Sequence, residues 1–204
     1  DVRPFLSFLG GRKLKQTLFL SVQGAERVGF IPHAKIEMLM REFEIPYTFF
    51  RPSFFMQNLT GTHLAEIREE GRLYLPAGRG KTNFVDVADL AEAAAIALTE
   101  EGYTNRAFTL TGEENLTYFE VAEKLSRGLG RKVIYRPASL PGFILYQLKK
   151  GRSLPFALVM TALYGAARFG DAIGDSPELA QILGRPPLSL DLFIKRNIEL
   201  LNGE

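Results

Sequence analysis

The chain holds two imidazoles, His33 and His63. His33 lies in GFIPHAKIEMLM, residues 29–40, directly after a proline and at the start of an amphipathic stretch. An imidazole changes charge near neutrality, so it is the natural residue to donate or accept a proton. The same position also suits a residue that only caps or packs a helix start, and both readings stay open here. His63 stands beside Leu64 and near Leu59, and it is expected at a lobe surface or cleft rather than in catalysis. The chain has no cysteine, which removes disulfides, thiolate nucleophiles and Cys-ligated metals. Two distant histidines do not make a His-rich metal site, so no metal is expected.

Other spacings are weaker. Asp86 and Asp89 could act as a carboxylate pair, but at a helix N-terminus they complement the helix dipole, and the structural role is preferred. Lys35 reads as a solvated helix charge. Asn58-Leu-Thr60 and Asn115-Leu-Thr117 match the glycosylation pattern but follow no secretory signal. A phosphate-binding Gly-x-Gly-x-x-Gly is missing. Gly78-Arg-Gly80 and Gly128-Leu-Gly130 come nearest, and neither has the third glycine or joins a strand to a helix as that loop must, so both read as turns.

At 204 residues, 46% hydrophobic and 24% charged, the composition suits a globular protein with a large core. A net charge of +2 argues against a nucleic-acid or membrane surface. Basic runs such as Gly11-Arg12-Lys13-Leu14-Lys15 read as solvated loop charges. FALVMTALYGAARFG, residues 156–170, is the most apolar run. It is shorter than the roughly 20 residues of a membrane span, and Arg168 interrupts it. It reads as a buried or interface helix, with a short amphipathic anchor as the alternative. No signal peptide opens the chain, and a cytoplasmic location is expected.

The elements that must hold these residues alternate. A helix over PFLSFLGGRKLK stops at Gly10-Gly11, and TLFLS at 17–21 reads as a strand. Ile36, Leu39, Met40 and Phe43 then define one face of a helix from His33 to Glu44. Pro46 breaks it, and YTFFR at 47–51 is a second strand. Helical spacing over residues 53–70 (Phe55, Leu59, Leu64, Ile67) ends at Gly71. Strands follow near 73–75 and 82–85, and Asp86 is placed as the N-cap of VADLAEAAAIAL. AFTLTG at 107–112 is a strand and turn. Thr117-Tyr-Phe-Glu120 is a capping box for a helix closing at Gly128 or Gly130, and VIYRP at 133–137 is a strand. Beyond 138 the chain reads as helical, with Ser176-Pro177 as N-cap and N1, Gly184 as C-cap and SLDLFIKRNIELL as the terminal helix. This alternation predicts an α/β fold with parallel strands.

FLSVQGAE at 19–26, PHAKIEMLMREFEIPYTFFRPSFFMQNL at 32–59, FVDVADLAEAAAIAL at 84–98, the AFTLTG strand and LGRPPLSLDLFI near the end together resemble the NmrA-like family. These are atypical short-chain dehydrogenase/reductases. The resemblance implies part of a doubly wound parallel Rossmann sheet with a smaller, mainly helical C-terminal lobe. The division is expected between 1–112, with 52–81 contributing to the cleft, and 113–204. It implies an NAD(P) cofactor, with NADP(H) the expected form. The family's Gly-rich loop normally lies further upstream, so the chain is expected to represent the C-terminal two-thirds of such a protein. Relatives of the usual type pair Tyr-x-x-x-Lys on a helix with a strand-end Ser that binds the substrate carbonyl. Ser21 matches that Ser. With Glu37 aligned to the acidic residue four beyond the Lys, His33 takes the Lys position and Gly29 the Tyr position, so the usual acid is absent. Tyr146-Gln-Leu-Lys-Lys150 has the spacing but lies beyond the central strands, and it is set aside.

RPSFFMQN, residues 51–58, follows a strand and so begins at the carboxyl end of the sheet, where open α/β folds bind ligands. In the family the matching segment lines the nicotinamide end. The expected cofactor contacts are therefore Ser21, Val22, Gln23, His33, Pro52, Ser53 and Phe54, with Phe55 and Asn58 nearer the substrate. Ser21 and His33 are the catalytic candidates. Phe54 and Phe55 serve equally as lobe core. Two functions follow from the resemblance: an NAD(P)H-dependent reductase of quinones or other small carbonyl compounds, and a non-catalytic NAD(P) redox sensor acting through a protein partner. The expected partner is a small-molecule substrate, with a homo-oligomer or a regulatory protein as further partners, and with neither nucleic acid nor membrane.

Overall fold

The computed structural model describes residues 2–170 and 172–203. In chain order its elements are α1 (Arg3–Gly10), β1 (Thr17–Leu20), α2 (Pro32–Glu42), β2 (Tyr47–Pro52) and β3 (Phe54–Phe55). A 3-10 turn at Met56–Asn58 leads to α3 (Leu64–Glu70), β4 (Arg72–Leu75), β5 (Lys81–Val85), α4 (Val87–Thr99), β6 (Arg106–Leu110) and β7 (Asn115–Thr117). Then come α5 (Tyr118–Leu129), β8 (Ile134–Pro137), α6 (Leu140–Lys149), α7 (Leu154–Arg168), α8 (Glu178–Leu183), α9 (Leu190–Arg196) and α10 (Ile198–Asn202). Local signals explain many of these ends. Thr117 and Glu120 form the reciprocal capping box at α5, and Ser139, Ser153 and Ser189 each accept a backbone N–H at the start of α6, α7 and α9. Gly71, Gly130 and Gly184 close α3, α5 and α8 in the left-handed conformation.

The chain folds as two interleaved compact units: Asp1–Ser53, Val87–Thr111 and Ser176–Pro187 in the first, Phe54–Asp86, Gly112–Asp175 and Leu188–Glu204 in the second. The chain passes from one unit to the other several times along its length. Residues 176–187 belong with the first unit because the Glu178 carboxylate accepts the Thr109 N–H at 2.6 Å and Arg185 donates to Asp89 at 2.8 Å.

In the first unit three strands run parallel in the order β1-β2-β6. Leu20 lies opposite Phe50, and Pro52 opposite Leu110. The central strand is buried at every position except Tyr47, while β1 at the edge is half-buried over Thr17 to Phe19 and exposed at Leu20. That contrast follows from position, since a strand between two neighbours and two layers meets no water. Leu6 of α1, Met40 of α2, Ile45 and Phe49 form the core on one face.

The second unit holds β3-β5-β7, with β5 and β7 antiparallel, and the parallel pair β4-β8. Its core joins Leu73, Leu75 and Tyr135 to Tyr118, Val121 and Leu125 of α5, Phe143 of α6 and Tyr164 of α7. Gly80 allows a close approach: a Cβ there would stand 1.8 Å from the Ala167 carbonyl oxygen. The Gly78-Arg-Gly80 turn therefore serves packing.

Three expectations change. Residues 53–63 are a short strand and a 3-10 turn, and only Leu64–Glu70 is helical. Backbone pairing of Phe54 and Phe55 with Phe84 and Val85 outweighs the helical spacing of their side chains. The α8 helix begins at Glu178 with Pro177 at the cap position, although Ser176 Oγ still accepts from Glu178 N at 3.4 Å. The terminal helix is broken at Asn197 into α9 and α10.

Candidate functional site

The carboxyl end of the parallel sheet brings together two of the segments singled out by their chemistry. Beyond β1, Ser21 N donates to Phe50 O at 2.7 Å and Gln23 N to Pro52 O at 3.0 Å. The ladder thus continues past the strand and sets residues 21–23 beside Pro52. Ser53 N donates in turn to Leu110 O at 3.0 Å. Pro52 and Ser53 are buried, and Val22 and Gln23 are half-buried. Gly24, with φ of +84°, turns the chain back, and a Cβ on it would meet nothing within 4 Å.

Under this edge lies a charged network that sequence reasoning did not foresee. Glu37, on the inner face of α2, is 2% exposed. Its carboxylate accepts Ser21 Oγ–H at 2.6 Å, Arg51 Nε–H at 3.0 Å and Arg51 Nη2–H at 2.5 Å. Arg51 Nη1 reaches Glu26 at 3.2 Å. One guanidinium therefore joins β2, α2 and the loop after β1, using the planar fork that only arginine offers. Burial pushes the Glu37 carboxyl up, but the hydrogen bonds from Arg51 and Ser21 and the charges of Arg51 and Arg41 outweigh it and hold it below its ordinary value. The visible signal was Arg51 itself, a charge inside the apolar run YTFFRPSFF.

The Ser21 proton, assigned by resemblance to a substrate carbonyl, is thus held by Glu37, leaving the oxygen free to accept only. His33 is exposed in the first turn of α2, its ring 6.2 Å from that of Phe19 and tilted. It makes no side-chain capping bond, because the N-cap is Ile31. Gly29 lies in a turn before the helix, and Lys35 is exposed. Asp89 is fully buried in the first turn of α4 and paired with Arg185, as a structural reading requires.

In the second unit Phe54 packs against the core, its ring 6.0 Å from Tyr164. Phe55 and Asn58 are half-buried. Asp86 accepts Gln57 Nε2–H at 2.6 Å. His63 is 1% exposed, so it is a core residue and not a surface or cleft one. Its Nε2 and the Tyr164 hydroxyl are 2.6 Å apart, and its Nδ1 lies 3.4 Å from Glu66. Burial pushes the Tyr164 phenol well up. Tyr146 and Lys150 both meet Glu70, which also pairs with Arg72. The Tyr146 phenol is raised, first by burial, the opposite of an activated acid. Asn115 is bonded to the Gly174 backbone at 2.9 Å through both amide atoms.

Known proteins resemble this chain in sequence and in fold. The NAD(P)H azoreductase of Xenophilus azovorans is 35% identical over 158 residues, 76% of this chain and 54% of the relative. Prestalk A differentiation protein A of Dictyostelium discoideum is 26% identical over 200 residues, 98% of this chain and 65% of the relative. The chain thus spans about two thirds or less of the length of these curated relatives. The crystal structure of the triphenylmethane reductase of Citrobacter sp., complexed with NADP(H), superimposes with a TM-score of 0.81 at 29% identity, over 95% of this chain and 69% of that one. Because the profile of the NmrA-like family matches residues 22–190, from the loop after β1 to the first residue of α9, the chain belongs to the NmrA-like family.

Proposed function

We propose that this chain carries the nicotinamide and substrate side of an NAD(P)H-dependent reductase of quinones or other small carbonyl compounds. The observation that carries the reading is the placement of residues 21–23 beside Pro52 and Ser53 at the carboxyl end of three parallel strands. The residues there fit a nicotinamide and its ribose: polar Gln23 and Ser53 beside apolar Val22 and Pro52, and a Gly24 turn with open space around it. They do not grip a pyrophosphate, since Gly78 and Gly80 are used in packing. A bound NAD(P)H would supply a hydride.

The chain's own residues would bind and orient. Ser21 is assigned a positioning role through Glu37, and the Glu37–Arg51–Glu26 bridge fixes the loop that presents Val22 and Gln23. His33 is the candidate to bond the ribose or to supply a proton. Phe55 and Asn58 are the substrate-side candidates. Two relatives named for reducing aromatic dyes or azo compounds with a nicotinamide cofactor support a flat, apolar acceptor.

The test is NADPH oxidation by the intact protein with a panel of quinones, together with NADPH titration. Turnover supports the reductase. Binding without turnover supports the sensor reading, which Gly29 in place of the usual acid favours. Absence of binding removes both.

A further inference from the structure

Helix α7 carries no charged residue before Arg168. Its buried side is Ala157, Thr161, Tyr164 and Gly165. Leu154, Leu158, Val159 and Leu163 are exposed, Val159 to 57%; Leu158 follows Leu154 by four residues and Leu163 follows Val159 by four, so they form two adjoining apolar rows on the side away from the core. The preceding α6 adds Leu145, 60% exposed, and Leu148. An apolar surface of this extent marks an interaction site rather than scattered exposure. Cations stand at its end, with Lys149, Lys150 and Arg152 in and beside the turn between the two helices. Lys150 is engaged by Glu70 at 3.0 Å, while Lys149 and Arg152 are exposed, Arg152 over the ring of Phe156. Between Glu123 and Asp171 the sequence contains neither Asp nor Glu.

We propose that the α6–α7 hairpin rests on an anionic lipid surface. The apolar rows would enter the boundary between headgroups and acyl chains, with Lys149 and Arg152 meeting lipid phosphates and carboxylates. At 15 residues α7 is too short to span a bilayer but suits a helix lying in its plane. Charge decides against a second copy of this chain as the occupant. A two-fold contact would set the patch against itself, and whichever way the copies run, Lys149 and Arg152 would face a hairpin that holds Arg168 at its far end and no carboxylate. An anionic membrane supplies both the apolar depth and the opposite charge.

The test is flotation of the intact protein with vesicles of phosphatidylcholine alone and with about one third phosphatidylserine, at low and high salt. Binding is expected to be on the order of ten-fold tighter to the anionic vesicles, a gain that high salt removes. Lys149→Glu/Arg152→Glu should abolish that gain. Leu158→Gln/Val159→Gln, both at exposed positions, should abolish binding while circular dichroism stays unchanged. Equal binding to both vesicles, binding to neither, or a dimer in sedimentation velocity that Leu158→Gln/Val159→Gln dissociates would each overturn the proposal.

Discussion

Ser21 Oγ stands 2.6 Å from Glu37 Oε1 and gives its hydrogen bond to that buried carboxylate. The residue that marks the strand end is thereby tied to α2, and through Glu37 to Arg51. Removing Arg51 with Arg51→Met leaves Glu37 as a buried charge without its main partner. That should cost about 3–5 kcal/mol, read from urea unfolding of the intact protein. Ser21→Ala removes one bond to a charged group and should cost about 1.5–3 kcal/mol. If Arg51→Met is no worse than Ser21→Ala, the pair is not a buried one.

Acid should weaken the fold through the same group. Glu37 is held below its ordinary value in the folded chain, so its contribution is fully present above the unfolded-state value, about 4.3. That contribution is lost as pH falls through the lower, folded value. Unfolding free energies measured from neutrality down to strongly acidic pH should fall in that range, and Glu37→Gln should flatten the fall. An equally steep acid limb in Glu37→Gln would assign the effect to other carboxylates.

Gly80→Ala should destabilise the protein by about 1–3 kcal/mol, the usual cost of forcing an extra methyl into a filled space. The Cβ would fall 1.8 Å from backbone at Ala167, which cannot swing aside as a side chain would. Thermal unfolding measures this, and an unchanged midpoint would mean that the turn is looser than its geometry indicates.

His33 is exposed and uncommitted to a side-chain cap, so His33→Ala should leave stability within about 0.5 kcal/mol. If its imidazole bonds the cofactor ribose, NADPH affinity of the intact protein should drop by about 0.5–1.5 kcal/mol. Calorimetric titration of both proteins tests this. Unchanged affinity with unchanged turnover would leave His33 only its place at the helix start.

Short-range pattern was enough for β1, α2 and β2 and for the Thr117 capping box, because a strand of apolar β-formers or a reciprocal cap is settled by residues a few positions apart. Alternation of these pieces also determined the parallel arrangement, since chain connectivity leaves few others. In the structure that arrangement sets residues 21–23 beside Pro52. Partners distant in sequence were not legible. Glu37 and Arg51 are 14 residues apart, and Asp89 and Arg185 are 96; nothing local says which of the chain's many charges will be buried together. His63 illustrates the same limit, because its burial depends on Tyr164, 101 residues on. Residues 53–63 went from helix to strand and 3-10 turn because the pairing of Phe54 and Phe55 with β5 satisfies backbone groups that their own spacing cannot. Periodicity in the sequence decided which faces are apolar. Tertiary structure decided which of those faces are covered, which charges are neutralised, and whether the Ser21 proton is free.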